Sequence, residues 1–318
     1  MSTVNSSNTN HLWFLLMGFP GAEDFNNINA WISLPLCSLY LLSILGNCLI
    51  LFIVKLDNHL REPMYLLLSM LATTDLCLTF ATLPSTISVF LFDSRRNHFF
   101  ACLTQLFVIH MLCAVESSIL VAMAFDRYVA ICKPLQYVSI LHPIISKIGL
   151  VALMRCLCLH FAVPFLLKIL PYCDKHVLSF AFCYHTDVMK LACAGTTITS
   201  TYNLVVVITT YPVDAVFILL SYIMILRNIL NRPQQAERLK ALNTCVSHLC
   251  AVMLFYIPLI SLSLASRYGQ KDSVLLPVVL GGILLVVPPA INPMIYSIKT
   301  KQICSALSKR FWPTKQDN

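Results

Sequence analysis

Two acidic residues stand inside long apolar stretches of the sequence, and they are the first candidates for chemistry. Asp75 and Glu116 each lie in a run of mostly apolar residues, and Asn47 and Asn292 occur at comparable depth in two further runs. A charged group within a membrane-crossing segment is costly and points to a function. Carboxylate and amide oxygens are suitable ligands for a small hard cation. We therefore predict that Asp75 and Glu116 hold a sodium ion or a shared proton, and we expect no other cofactor.

A second pattern lies in a later apolar run. Tyr256, Ile260, Ser263 and Arg267 are separated by four, three and four residues, which places them on one face of a helix. A guanidinium group binds a carboxylate through two hydrogen bonds, so this face predicts a small organic acid as ligand. The alternative is that Arg267 extends into water or lipid headgroups.

Polar residues are predicted at three different depths along one helix. At about 1.5 Å per residue, His110 lies about 9 Å to one side of Glu116 and Arg127 about 16 Å to the other. The spacing separates an outer polar group, a central charge and an inner Asp126-Arg127-Tyr128 cluster. Taken alone, that cluster is better explained as an ordinary surface ion pair between neighbouring residues than as a functional site.

Two further charges, Arg155 and Asp214, also fall inside apolar runs. For both we favour a structural role, in which each is paired or neutralised inside the helix bundle.

The composition indicates that these apolar segments lie in a membrane rather than in water. Of the 318 residues 58% are apolar and only 11% charged, and the mean hydropathy is +0.77. Soluble domains carry about 25% charged residues, so a soluble domain explains the chain poorly. The net charge of +8 is not concentrated on one soluble face, and we expect membrane lipid and no nucleic acid as a partner.

Seven runs are long enough to cross a membrane as helices, because only internally hydrogen-bonded segments are stable in hydrocarbon. The sequence therefore predicts an all-α membrane protein, a bundle of seven transmembrane helices over residues 29–298. An N-terminal segment, 1–28, precedes it, and a tail with a short amphipathic helix, 299–318, follows. The predicted spans are 29–54, 63–91, 100–125, 148–170, 196–226, 241–266 and 273–298.

The distribution of basic residues predicts the orientation. Of the 22 Lys and Arg residues, 14 fall in the segments after the first, third, fifth and seventh spans. The positive-inside rule then places the N-terminus outside and the C-terminus in the cytoplasm. No cleavable signal peptide is evident, and the sequon at Asn5 is expected to be glycosylated.

Four of the fourteen cysteines fall on the predicted outer side, Cys102, Cys173, Cys183 and Cys193. Only these face an oxidising compartment, and four cysteines allow three pairings. A bond between Cys102 and Cys183 would hold the outer loop across the third helix and leave Cys173 to pair with Cys193.

Several phrases of the sequence resemble the odorant receptors, a family of rhodopsin-like G-protein-coupled receptors, over almost the whole chain. Phe255-Tyr256-Ile257-Pro258 and Arg267-Tyr268-Gly269 are similar to the class I, fish-like branch. The phrases that carry the family resemblance are Pro63-Met64-Tyr65, Leu68-Ser69 followed by Asp75, Met123-Ala124-Phe125-Asp126-Arg127-Tyr128, Ser221-Tyr222, the run from Lys240 to His248, and Pro288-Pro289-Ala290-Ile291-Asn292-Pro293-Met294-Ile295-Tyr296.

The resemblance implies an odorant site between the third, fifth and sixth helices and the outer loop, and a stimulatory, olfactory-type G protein that raises cyclic AMP. It implies a plasma-membrane protein of olfactory cilia, with Asp75 and Glu116 as a sodium site. Class I members often answer to acids, which agrees with the independent interpretation of Arg267. The predicted ligand residues are His110, Cys113, His185, Thr186, Tyr256, Ile260, Ser263 and Arg267. The residues implied in G-protein coupling and activation are Asp126, Arg127, Tyr128, Tyr222, His248, Asn292, Pro293 and Tyr296.

Other classes fit less well. The sequence has no metal motif or nucleophile elbow of an enzyme, and no Lys in 273–298 for a retinal-linked pump. A transporter would show two related halves, and we find no internal repeat. A receptor of the same fold for an endogenous metabolite acid in a non-olfactory tissue has the same motifs and stays open as the alternative.

Overall fold

A computed structural model describes residues 13–18, 28–57, 62–173, 176–231, 234–268 and 274–299. Within these ranges the side chains of 28–30, 240, 244, 267, 268 and 297–299 are not described. The sequon at Asn5 and the predicted amphipathic helix of the tail lie outside the described residues.

Within these described ranges, seven helical segments are long and apolar enough to cross a membrane, as predicted. Six are continuous, and the fourth consists of two helices in line. Their bounds are α1 Ile28–Leu56, α2 Pro63–Phe90, α3 Phe99–Cys132, α5 Ile145–His160 with α6 Ala162–Lys168, α8 Thr196–Leu230, α9 Gln235–Tyr268 and α10 Leu275–Lys299. The short helices α4 Tyr137–Leu141 and α7 His185–Lys190 lie in the connections.

The helices run further than the apolar stretches that predicted them. Helix α3 continues to Cys132 rather than ending near 125, and α9 begins at Gln235 rather than near 241. The Asp126-Arg127-Tyr128 cluster therefore lies within α3 and not at its end. Helical hydrogen bonding continues where the chain leaves the apolar layer, since polar residues are as compatible with a helix as apolar ones.

Local sequence explains where the helices begin and break. Pro63 occupies the first turn of α2, where its missing N–H costs nothing. The His98 side chain accepts a hydrogen bond from the Phe100 backbone N–H at the start of α3. Pro164 cannot donate to the carbonyl of His160, and the fourth segment is interrupted between them.

Helix α3 is the central helix of the bundle. It packs against α2, α5, α8 and α9, and α1 packs between α2 and α10. The main hydrophobic core runs along this interface, from Ile50 and Leu71 to Leu120 and Phe255.

A small sheet that the sequence analysis did not predict covers one end of the bundle. Strand β1, Trp13–Leu16, lies between β2, Arg96–His98, and β3, Val177–Leu178. It pairs antiparallel with β2 and parallel with β3, and Phe14 and Leu16 point inward and are buried. We call these strands and the described part of 171–195 the cap, and the two ends of the bundle the cap end and the opposite end.

Both disulfides of the cap follow the pairing expected above. Cys102, in the first turn of α3, is joined to Cys183, and Cys173 is joined to Cys193. Gln105 reinforces the first link, because its side-chain oxygen accepts a hydrogen bond from the Cys183 N–H. The loop is thus held across the end of α3.

Candidate functional site

A cavity of about 50 Å³ lies beneath the cap, between α3, α8, α9 and α10; we call it the main cavity. The polar residues of its lining include His110, His185, Thr186, Asn203 and Ser263. The rest of the lining is mostly apolar and comes from every surrounding element: Ile109, Cys113, Phe182, Tyr184, Val207, Tyr211, Leu259, Leu262, Gly281, Leu284 and Leu285.

Two histidines, one half-buried and one buried, face each other at this cavity. The ring centroids of His110, on α3, and His185, the first residue of α7, are 6.3 Å apart. Nε2 of His110 and both ring nitrogens of His185 have no hydrogen-bond partner. Burial lowers the pKa of His185 to about 4, so its imidazole is neutral near pH 7. Buried polar atoms without partners are unusual, and here they offer hydrogen bonds to a ligand.

Five of the eight predicted ligand residues line the main cavity: His110, Cys113, His185, Thr186 and Ser263. Tyr256 does not. It lies in the core beneath, where its hydroxyl is 2.9 Å from the Ser117 hydroxyl. Arg267 is on the last turn of α9, four residues beyond Ser263 toward the cap, but its side chain lies outside the described part of the chain.

The prediction for Ile260 is wrong. Its side chain is 54% exposed and points away from the bundle, while Leu259 and Leu262 line the cavity instead. Successive helical residues are about 100° apart around the axis. The inward face of α9 is centred near Leu259, so Ser263 lies at its edge and Ile260 falls beyond it. The spacing places the four residues along one side of the helix, but it does not show whether that side points into the bundle.

Beneath the main cavity, a polar network joins four helices. Arg155 of α5 binds Asp214 of α8 through two parallel hydrogen bonds, Nη1–Oδ1 at 2.8 Å and Nη2–Oδ2 at 2.9 Å. Ser117 of α3 donates to the same carboxylate at 2.8 Å and contacts Tyr256 of α9. The expectation that Arg155 and Asp214 are paired within the bundle is confirmed.

The predicted cation site brings together residues of α1, α2, α3 and α10. Asn292 donates a hydrogen bond to Asp75 at 3.1 Å and also lies within reach of Glu116. Asn47 donates to the carbonyl of Pro289 at 2.9 Å.

One oxygen on each of four side chains at this site is buried without a hydrogen-bond partner: Asn47 Oδ1, Asp75 Oδ1, Glu116 Oε2 and Asn292 Oδ1. Oxygen-only ligands of this kind fit a small hard cation.

At the opposite end, Tyr222 of α8 and His248 of α9 are held together. The Tyr222 hydroxyl is 2.7 Å from Nδ1 of His248, and the two rings are nearly parallel. Nε2 of His248 lies 3.0 Å from the carbonyl of Leu120. A carbonyl only accepts, so Nε2 donates to it, and in the neutral imidazole Nδ1 then accepts from the Tyr222 hydroxyl. This contact, the α3–α8–α9 clasp, joins three helices.

The Asp126-Arg127-Tyr128 cluster lies near the clasp. Arg127 pairs with the adjacent Asp126 at 2.9 Å, and Asp126 also accepts a hydrogen bond from Tyr137 of α4 at 2.7 Å. Tyr296 of α10 is buried, and its hydroxyl contacts the sulfur of Met123. Pro293 packs against Gly46 so closely that a Cβ on Gly46 would lie 2.7 Å from the Pro293 Cβ.

Comparison with known proteins agrees with this architecture. Residues 36–313 match the family model described as olfactory receptor. The chain is 51% identical to human olfactory receptor 51G2 over 98% of both chains, and 47% identical to human olfactory receptor 51E2 over 94% of this chain and 93% of that protein. The crystal structure of squid rhodopsin superposes with a TM-score of 0.72 at 16% identity, covering 92% of this chain and 87% of that one, and so shares the fold. The chain therefore belongs to the olfactory receptor family, in its class I branch, whose members are multi-pass membrane receptors for odorants that act through G proteins and are not enzymes.

Proposed function

We propose that this receptor binds a short carboxylic acid in the main cavity and responds by activating a stimulatory, olfactory-type G protein, which raises cyclic AMP. The observation that carries the proposal is the set of three buried ring nitrogens of His110 and His185 that face the cavity without partners. Neutral imidazoles donate hydrogen bonds to carboxylate oxygens, and Ser263 adds a hydroxyl. Arg267, one turn nearer the cap, supplies the balancing positive charge.

The size of the main cavity supports a short acid. Its volume of about 50 Å³ is a third of the ~150 Å³ that holds benzene in an engineered protein cavity. A ligand of about two to four heavy atoms fits without rearrangement, which corresponds to formate or acetate. Longer acids require the apolar lining to move, and we expect weaker responses from them.

In the proposed orientation the cap end faces outside and the opposite end faces the cytoplasm. The positive-inside count and the two disulfides of the cap support this arrangement. The receptor then acts in the plasma membrane of olfactory cilia, with Asn5 available for glycosylation.

The response is a population shift. The bound acid favours a conformation in which the cytoplasmic end of α9 moves away from α3, and the G protein favours the same conformation, so each ligand strengthens binding of the other. In that conformation the α3–α8–α9 clasp opens, and Arg127, Tyr222 and Tyr296 rearrange toward the G protein, with Asp126 and Tyr128 beside them. A sodium ion between Asp75 and Glu116 stabilises the resting bundle, where Asn292 and Pro293 hold α10 in place.

The test is cyclic AMP accumulation in cells that express the receptor with a stimulatory G protein. Formate, acetate, propionate and butyrate are compared with the matched alcohols and methyl esters, at equal surface expression. We expect acids alone to activate and Arg267→Ala to abolish the response. Lys190→Ala removes an exposed cation at the end of α7 and serves as the control. Activation by alcohols and esters, together with a silent Arg267→Ala, would contradict the acid site.

A further inference from the structure

A second cavity lies at the cap end between α1, α2 and α10, apart from the main cavity. Its volume is about 170 Å³. Leu39 and Tyr40 of α1, Phe90 of α2 and Val279 and Gly282 of α10 are among its lining residues. It is larger than the main cavity, and the proposed acid site does not include it.

The wall of this second cavity is chemically inert. Its hydroxyls belong to Tyr40 and Thr86, which lie 3.1 Å apart, and the Tyr40 hydroxyl also donates to Thr82. Thr86 in turn donates to the Thr82 carbonyl at 2.9 Å. Among the residues that the structure describes, no buried polar side-chain atom without a partner belongs to this lining. A water molecule needs two to four polar partners, so this wall offers little to hold water or a charged ligand.

Two adjacent glycines of α10 distinguish the cavities. A Cβ built on Gly281 would lie 2.7 Å from the ring of Phe180, so a larger residue there would displace that ring. A Cβ on Gly282 would meet no atom of the described residues within 4 Å. Glycine is an unfavourable residue inside a helix, and no contact within the described part of the chain explains it at 282. The space that Gly282 leaves open is part of the second cavity.

We propose that the second cavity is a binding site for a neutral hydrocarbon group of about six carbons. A dry, apolar cavity of ~150 Å³ binds benzene, and this one has a similar volume and no polar group to satisfy. The hydrocarbon comes either from a small apolar volatile or from the end of a lipid acyl chain. The inference rests on this cavity alone and does not depend on the acid site.

The second site adjoins the first. Phe182 and Leu285 line both cavities and form the wall between them. A group that occupies the second cavity therefore fixes the positions of two side chains that face the acid.

Photolabelling of the purified receptor in lipid nanodiscs tests the proposal. One arm uses a free six-carbon alkyl diazirine with and without excess cyclohexane, and the other uses phosphatidylcholine with a diazirine at the end of an acyl chain. Labelled residues are located by peptide mass spectrometry. We expect label on Leu39 and Val279 that is lost in Gly282→Leu, which places a leucine side chain in the cavity. Leu276→Phe enlarges an exposed side chain of the same helix and should retain the label.

The two arms identify the source of the hydrocarbon. Label from the free probe that cyclohexane displaces indicates a volatile, and label from the lipid probe alone indicates an acyl chain. Leu39→Phe, which fills the cavity from α1, gives an independent variant with Val279 as its reporter. If the lining residues are unlabelled in both arms, or if labelling persists unchanged in Gly282→Leu and Leu39→Phe, the site does not exist.

Discussion

The ion pair between Arg155 and Asp214 makes a quantitative prediction about stability. The Asp214 side chain is 1% exposed, whereas the Arg155 side chain is 34% exposed. Arg155→Met leaves the buried carboxylate with Ser117 as its remaining partner. Removal of one member of a buried ion pair costs about 3–5 kcal/mol of unfolding free energy. At about 2 °C per kcal/mol for a large chain, we expect the Tm to fall by about 6–10 °C.

The opposite variant should cost less. Asp214→Asn leaves an arginine that is partly exposed and can extend toward water or headgroups, so we expect a loss of about 1–2 kcal/mol. The double variant Arg155→Met/Asp214→Leu removes both charges. It should recover most of the loss, since a buried ion pair replaced by apolar residues is often neutral in stability.

The assay is thermal unfolding of the purified receptor in one detergent at one heating rate. Lys147→Met, which removes an exposed cation from the same helix, is the control and should not change the Tm. If the double variant melts as low as Arg155→Met alone, an unpaired buried charge is not the cause of the loss, and the reasoning fails.

Four further outcomes are expected. Tyr222→Phe removes one hydrogen bond of the α3–α8–α9 clasp, worth about 0.5–1.5 kcal/mol, and should raise ligand-free cyclic AMP by about 2–10-fold. The pKa of His185, about 4, lies below the ~6.5 of an unfolded histidine, so the unfolded state binds more protons between these values. Wild-type Tm should therefore fall as the pH is lowered from about 6.5 to 4, and His185→Gln should lessen that slope. Wild-type Tm should be higher in sodium chloride than in choline chloride at equal ionic strength, and Glu116→Gln should remove the difference. Gly281→Ala should lower the potency of acids by pushing an aromatic ring toward the main cavity, whereas Gly282→Ala should not.

Hydropathy and charge alone predict the seven helices, because the membrane interior tolerates few alternatives. They do not predict strand β1. Four residues from Trp13 to Leu16 carry little local signal, and their partners at 96–98 and 177–178 are distant in the sequence. Pairing between such distant segments is decided by tertiary structure, so the local sequence of each strand does not predict it.

The candidate site was predictable where a polar side chain stands in an apolar run. His110 and Ser263 stand out in this way, and both line the main cavity. Val207 and Leu284 line it too, but apolar residues of α8 and α10 look alike in sequence whether they face the cavity or lipid. Ile260 shows the same limit, since a helical stripe has a spacing but no direction until its neighbours are placed.

The partners of buried charges depend on packing in the same manner. The sequence shows that Arg155 and Asp214 each need a partner, because an isolated charge is not stable in hydrocarbon. That they satisfy each other follows from the position of α5 beside α3 and of α8 on the other side of Ser117. The spacing of residues along α5 or along α8 does not determine how close the two side chains lie to each other.

The cap has a consequence for how the receptor is made. Strand β1 is synthesised before its partner β3, which is made about half a chain later, and the disulfide to Cys102 waits for Cys183. Phe14 packs against Phe99 and Tyr172, and Leu16 pairs with Leu178, so both side chains are only partly covered during that interval. Exposed apolar segments of incomplete chains are prone to wrong associations, and non-local pairing is slow. The first strand to be translated is thus among the last to find its place, and the nascent receptor is most vulnerable before its second half has been made.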